Sequence, residues 1–431
     1  MTAMQGWALS IAVGSLSALV ACTAGSDGSG VADSERGPVQ AHAGVARNVI
    51  LFVGDGMGSA QRNAARLAGV GAAGNLVMDS LPHTGQARTA SADPDTFITD
   101  SAAAATSLAT GVKTHNGAIG MDVDNKPVPT LVEQAENAGK ATGLVSTGQV
   151  TDATPAAFGA HVAKRSRQTE IARQYIEETG VDVILGGGED FWYPAGDPGA
   201  FPDAPPEDAT EGSRSDQGNL VDRARALGYE YVTGPEGLTT THDDKVLGLF
   251  ANQEMFQQHP EPLGTYDPVV SLEAMTRAAL RTLSDRQQGF FLVIEEEAVD
   301  EMAHSNNARR TIDSTLELDQ AVAVGRQFAR RRDDTLMITT ADHETGGMSI
   351  EAVGATDEKG SAPASVDGPF DIAGSDMQFN VDWTTTGHTN LDVPVTAMGP
   401  GAWRLSGVYE NTHLFEVMHD AMFSSSTGPG G

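Results

Sequence analysis

Three apolar runs in this chain end in residues of the kind that bind metals, and this pattern constrains the fold more than any other feature. Asn48 to Gly54 runs into Asp55, Phe290 to Ile294 into Glu295, and Leu336 to Ala341 into the pair Asp342-His343. Runs with so little polar alternation read as strands buried on both faces, hence as a mostly parallel sheet covered by helices. In open α/β sheets the site lies beyond the carboxyl ends of the strands. Three such strands therefore bring oxygen and nitrogen ligands to one edge. Helix and strand signals alternate elsewhere too. Thr130-Leu131-Val132-Glu133 reads as a capping box opening a helix that stops at Gly139, and Ala141 to Ser146 and Val181 to Leu185 read as strands. The expected fold is a three-layer α/β/α sandwich with a large, mostly parallel central sheet and loop insertions.

Further ligand types follow. Asp300 and His304 are four residues apart, so on one helical turn they share a face and can grip one ion. His388, in Thr385-Thr386-Gly387-His388-Thr389, offers another imidazole. Carboxylate and imidazole without thiolate suit a catalytic zinc, and a hydroxyl with carboxylates suits magnesium. Ser101 opens a run of strong helix formers, and a helix N-terminus favours an anion. Singly, each of these has a plainer reading. Ser101 could be a helix cap, Asp300 and His304 an exposed pair, Thr154 a helix start, and Arg165 a surface member of the basic cluster Lys164 to Arg167. Glu296 and Glu297 read as structural or solvated, and His83, His115 and His161 as structural.

Composition narrows the partners. With 58 acidic and 27 basic residues the chain carries a net charge of −31, which argues against a nucleic-acid partner. An anionic substrate would need metal ions and a local arginine to reverse the field in its pocket. The one cysteine, Cys22, excludes an intrachain disulfide. Trp7 to Ala21 suits a signal h-region, and Leu19-Val20-Ala21-Cys22 resembles a bacterial lipobox, although Met1 to Trp7 holds no Lys or Arg. We therefore expect a lipoprotein leader over 1–21, then a lipid-anchored cysteine and flexible tether over 22–46. A catalytic body follows over 47–422, with insertions at 189–217 and 351–384, and a disordered tail over 423–431. The second insertion is long enough to hang over the site. The chain would be exported to the periplasm or cell surface and held at a membrane through Cys22.

Taken together, Gly54-Asp55-Gly56-Met57-Gly58, Thr99-Asp100-Ser101-Ala102-Ala103, Asp152-Ala153-Thr154-Pro155, His161-Val162-Ala163-Lys164-Arg165, Glu295, Asp300, His304, Asp342-His343 and His388 resemble the bacterial alkaline phosphatase family. They stand in the family's order from about residue 47 to 420. The resemblance implies phosphate monoester hydrolysis with two zinc ions and one magnesium ion per subunit. It places the first zinc on Asp300, His304 and His388, and the second on Asp55, Asp342 and His343, facing Ser101. Magnesium falls to Asp55, Thr154 and Glu295, with Asp152 behind them. Ser101 becomes the phosphorylated nucleophile, Arg165 the phosphate-binding arginine and Asp100 its orienting partner. Small phosphate monoesters are the implied substrates and a homodimer the implied assembly. Glu301 departs from family members that carry lysine or histidine there, which predicts weaker phosphate binding and faster product release. Two other readings stay open: a phosphodiesterase on the same two-zinc core, and a surface lipoprotein that binds metal or phosphate without turnover. A sulfatase is disfavoured, because four alanines follow Ser101 where that chemistry needs Pro and Arg close by.

Overall fold

The computed structural model describes residues 45–205, 209–241, 243–256, 268–353 and 366–424. The expected leader, Cys22 and most of the tether lie outside the described residues, as do residues 425–431 of the expected tail. Ala46, placed in the tether from sequence, is buried, and its N–H donates to Ala421 O at 2.7 Å. Phe423, placed in the tail, closes the helix Thr412–Phe423.

The three apolar runs form strands with no exposed residue: Asn48–Gly54 (β1), Phe290–Glu296 (β7) and Thr335–Thr340 (β8). Each Val, Ile, Leu or Phe side chain buried this way contributes roughly 1.5–3 kcal/mol relative to exposure. Between β1 and β7 come His83–Arg88 (β2), Ala141–Gln149 (β3), Val183–Gly187 (β4), Glu230–Val232 (β5) and Val246–Leu249 (β6). After β8 come Glu344–Thr345 (β9), Ser349–Ala352 (β10), Val366–Asp371 (β11), Gln378–Asp382 (β12), His388–Thr389 (β13), Val393–Met398 (β14) and Gly407–Glu410 (β15).

Ten strands make one sheet in the order β15-β2-β14-β8-β1-β7-β3-β4-β6-β5. From β8 to β5 every neighbouring pair is parallel, and β14 alone in this sheet runs against its neighbours. Helices cover both faces. Ser59–Val70, Leu272–Leu283 and Ala308–Ala329 pack together on one side; Ser101–Thr110, Leu131–Asn137, Ala153–Gly159 and Thr412–Phe423 pack together on the other. This is the three-layer α/β/α architecture. Thr130 caps its helix with the reciprocal bonds of a capping box, as its sequence requires. Among the described residues no helix is long and apolar enough to cross a membrane.

Both insertions are more ordered than their composition suggests. In 189–217, Trp192 is fully buried in the main core, with Phe191 and Tyr193 beside it. In 351–384, β10, β12 and β11 form an antiparallel sheet in that order. Its Phe379, Val381 and Trp383, at the two-residue period of a strand, pack with Phe370 onto Leu67, Ala303 and Ile312. The segment is thus a small docked sheet where a long loop was expected, and residues 354–365 within it lie outside the described set.

Candidate metal and phosphate site

Because β8, β1, β7 and β3 are adjacent and parallel, their carboxyl ends share one edge. Asp55 follows β1, Glu295 sits near the end of β7, Asp342 and His343 follow β8, and Asp152 follows β3. In the register, Glu295 stands opposite Val53 on one side and Ser146 on the other. Gly56 makes the turn after Asp55 at φ +67°, and a Cβ there would lie 2.6 Å from Asp300 Oδ1. Only glycine allows both the conformation and the approach.

Two groups of ligand atoms each converge within 4.8 Å: Asp55, Asp342 and His343, and Asp300, His343 and His388. The sequence assigned His343 to the first of these alone. In the structure its ring stacks on His388 with centroids 3.6 Å apart, so it reaches both. His304 joins them from the helix Ala298–His304, its Nε2 lying 3.1 Å from both Asp300 Oδ2 and His388 Nε2. Backbone carbonyls fix these rings from behind. Thr386 O lies 2.5 Å from His304 Nδ1, and Thr99 O lies 2.9 Å from His388 Nδ1. With Nδ1–H donating to a carbonyl, each ring turns its Nε2 toward the site, where the neutral imidazole would offer a lone pair. Sequence reasoning missed these carbonyls, along with Thr345, whose hydroxyl donates to Asp300.

The charge balance is unusual for a protein interior. Burial, then Asp342, Asp300, Glu295 and Glu297, holds the Asp55 carboxyl well above its ordinary range. Burial lifts Glu295 to about 8, even though Ser146 donates to its Oε2 at 2.6 Å. Burial and Asp300 raise Asp342 to about 6. Asp300 is the exception: burial pushes it up, but hydrogen bonds from His304 and His388 hold it well below the usual value. Burial keeps His343 neutral, the form a metal needs. Asp55 Oδ1 and Asp342 Oδ2 are buried without a hydrogen-bond partner. The Thr154 hydroxyl faces Glu295 but finds no partner of ordinary geometry. Orphaned oxygens among mutually repelling carboxylates fit divalent cations, whose charge would oppose the upward shifts of Asp55, Glu295 and Asp342.

The phosphate edge is built differently. Asp100, not Ser101, caps the helix Ser101–Thr110, accepting from Ala103 N at 3.0 Å. Ser101 is therefore the first helical residue, and its hydroxyl is free to face the site, 3.2 Å from His343 Nε2. Arg165 follows the helix Ala153–Gly159, pinned by its N–H to Gly117 O at 2.8 Å. Its Nη2 donates to Asp152 Oδ2 at 2.6 Å, and Nη1 lies 3.6 Å from Asp100 Oδ2. Burial works against its charge, but Asp152 and Asp100 more than offset that and hold it protonated. Glu296 and Glu297 are buried, so the solvated reading fails for both. Glu296 accepts from the Thr147 hydroxyl at 2.7 Å. His161 is structural, held between Gly120 O and Glu133. The structure thus brings the described residues that the sequence proposed for the site to one edge of the sheet, while Cys22 lies outside the described residues.

The family model described as alkaline phosphatase matches residues 46–368 and 362–423. Alkaline phosphatase 4 of Bacillus subtilis is 33% identical over 429 residues, covering 86% of this chain and 88% of that protein. Alkaline phosphatase of Escherichia coli is 34% identical over 424 residues, covering 88% and 86%. Among solved structures, alkaline phosphatase from the Antarctic bacterium TAB5 superposes with a TM-score of 0.70 at 27% identity, covering 89% of this chain and 100% of that one. The Thermus thermophilus enzyme gives 0.72 at 26% identity, covering 90% and 94%.

Proposed function

The chain belongs to the alkaline phosphatase family and is a phosphate monoester hydrolase; from that premise we propose its metals, its intermediate and its setting. Two zinc ions fit Asp300, His304 and His388, and Asp55, Asp342 and His343. One magnesium ion fits Asp55, Thr154 and Glu295, with Asp152 behind them. When bound, such cations neutralise the phosphoryl oxygens and lower the pKa of an oxygen they touch. The protein's own groups do the rest. Ser101 presents Oγ at a helix N-terminus, where an anion is favoured. Its Oγ–P bond forms as the ester O–P bond breaks, leaving phosphoserine and the free alcohol. Water then breaks the Oγ–P bond, releasing phosphate and restoring Ser101. Arg165, positioned by Asp152 and Asp100, takes two nonbridging oxygens through its planar fork.

The observation that carries this reading is the juxtaposition of Ser101 Oγ with a buried cradle whose Asp55 and Asp342 oxygens lack partners. Purified residues 23–431 with zinc and magnesium are expected to cleave p-nitrophenyl phosphate in preference to the bis-ester. Chelation should abolish the activity, and Ser101→Ala should lower it at least about a thousandfold. Preference for the diester would move the protein to the phosphodiesterase branch. Metal binding without turnover would leave the lipoprotein that binds but does not catalyse.

The leader and lipobox support an exported protein anchored through Cys22, with phosphate scavenging outside the cytoplasm as its role and a homodimer as its assembly. Retention of Cys22→Ser in the membrane fraction would refute the anchor.

A further inference from the structure

The edge of the sheet opposite the site is charged the other way. The loops that enter β8, β1, β7 and β3 carry Arg330, Arg331, Arg332, Arg47, Arg286 and Lys140 against Asp285, Asp333 and Asp334. Arg47 and Lys140 donate to neutral carbonyls, Arg47 Nη2 to Arg286 O at 2.8 Å and Lys140 Nζ to Arg47 O at 2.9 Å, so these bonds cancel neither charge. Arg286 lies 3.4 Å from Asp244. The β8 side has less relief. Where the helix Ala308–Ala329 ends, Arg326, Arg330 and Arg331 line a cavity of about 270 Å³ with Val77, Ala323 and Gln327. Among the described residues none of these three guanidinium groups is paired with a carboxylate, nor is Arg332, which lies 3.9 Å over the Phe328 ring. Asp319 draws on Arg326 from farther up the helix, but its oxygens already accept from Val77 N and Met78 N at 2.9 and 2.8 Å. Two further features share this edge. Gly399, where a Cβ would lie 2.0 Å from Thr335 O, turns the chain against the start of β8, and Trp403 follows it, 57% exposed. The described chain also begins here: Val45 is 43% exposed, and Arg47 N–H donates to Asp334 O at 2.7 Å.

A helix C-terminus suits cations, but its dipole calls for neither a cavity between three arginines nor an indole ring in solvent. Guanidinium groups take phosphate oxygens through paired donors, and tryptophan favours the boundary between polar headgroups and acyl chains. We propose that this edge is a binding surface for anionic phospholipid, with a headgroup phosphate in the cavity between Arg326, Arg330 and Arg331 and with Trp403 at the acyl boundary. The body then lies on a membrane by the amino-end edge of its sheet, and Ser101 and the metal ligands face away. A net charge of −31 repels the chain as a whole from such a surface, but at physiological salt charges more than roughly 8 Å away are screened, so the edge presented decides. The inference rests neither on the phosphatase reading nor on a lipid at Cys22. The contact is salt-labile and an acyl chain is not, so a wash at high salt separates it from an anchor.

The test uses metal-loaded residues 23–431, which keep every described residue and leave out Cys22. They are sedimented with vesicles of phosphatidylglycerol and phosphatidylcholine, or of phosphatidylcholine alone. The bound fraction should be at least about fivefold higher with phosphatidylglycerol at low salt and should fall as salt is raised. Tryptophan emission should shift to the blue on those vesicles, and Trp403→Phe should remove the shift. Arg326→Gln/Arg330→Gln/Arg331→Gln should lower the bound fraction about tenfold while Tm and p-nitrophenyl phosphate cleavage stay unchanged. Equal binding to both kinds of vesicle would overturn the proposal, as would wild-type binding by a triple variant of unchanged Tm, or a blue shift that survives Trp403→Phe. Release from the vesicles by inorganic phosphate at constant ionic strength would overturn it too, marking a pocket for the free anion instead.

Discussion

The two halves of the site differ in how their charges are settled. The metal cradle is buried, and Asp55 and Asp342 keep oxygens without partners, so it is electrostatically incomplete as a bare polypeptide. The phosphate edge is complete without any ion: Asp100 is satisfied by Ala103 and Gly117 backbone N–H groups, and Arg165 by Asp152. The cradle therefore draws its stability from what it binds, whereas the edge is assembled in advance and waits for substrate. One is a site of stored repulsion, the other a pre-positioned fork.

Metal removal should separate the halves most strongly. Without cations, Glu295 at about 8 and Asp342 at about 6 titrate above their unfolded values. The folded state then holds protons that the unfolded state has released. Their contribution is fully present below about pH 4 and is lost as pH rises through 6 to 8. His304, raised to about 9 by its hydrogen bond to Asp300, acts in the same direction, its contribution lost as pH rises through that value. His343, depressed by burial, opposes them in acid. The difference in Tm between loaded and chelated protein should reach the order of 10 °C at pH 9 and shrink toward pH 6. A gap that ignores pH would mean that the cradle's repulsion is not what the metals relieve.

Arg165→Lys tests the edge. The fork is lost while the charge remains, so kcat/KM should drop about 10- to 100-fold with little change in Tm. A large Tm loss would show that the edge, too, depends on its occupant. The smallest effect is expected at Glu301, which borders Arg165 and Asp300. Glu301→Lys should tighten inhibition by phosphate about three- to tenfold, and an unchanged inhibition constant would reject Glu301 as the cause of weak product binding.

The cradle was more legible in sequence than the devices that hold it. Asp55, Glu295, Asp342 and His343 announce themselves because each ends an apolar run, and Asp300 and His304 because of their helical spacing. Arg165, Thr154 and Asp152 carry no such signal, and only the resemblance picked them out. The carbonyls of Thr99 and Thr386 that fix the histidine rings have no signature, since any residue supplies a carbonyl. Trp192 was hidden because Pro, Gly and Asp around it read as insertion. Phe379, Val381 and Trp383 did alternate as a strand, a signal masked by the polar residues on either side.

Local rules read along the chain thus settled the strands, the capped helices and the ligand types, because burial periodicity, capping and coordination chemistry act over a few residues. Tertiary structure alone decided that His343 reaches both ligand groups, that Asp100 and not Ser101 caps the helix, and that Glu297 Oε2 is buried without a hydrogen-bond partner. Each of these depends on which strands become neighbours and how closely their backbones approach. That is set by packing between segments hundreds of residues apart, and no local pattern encodes it.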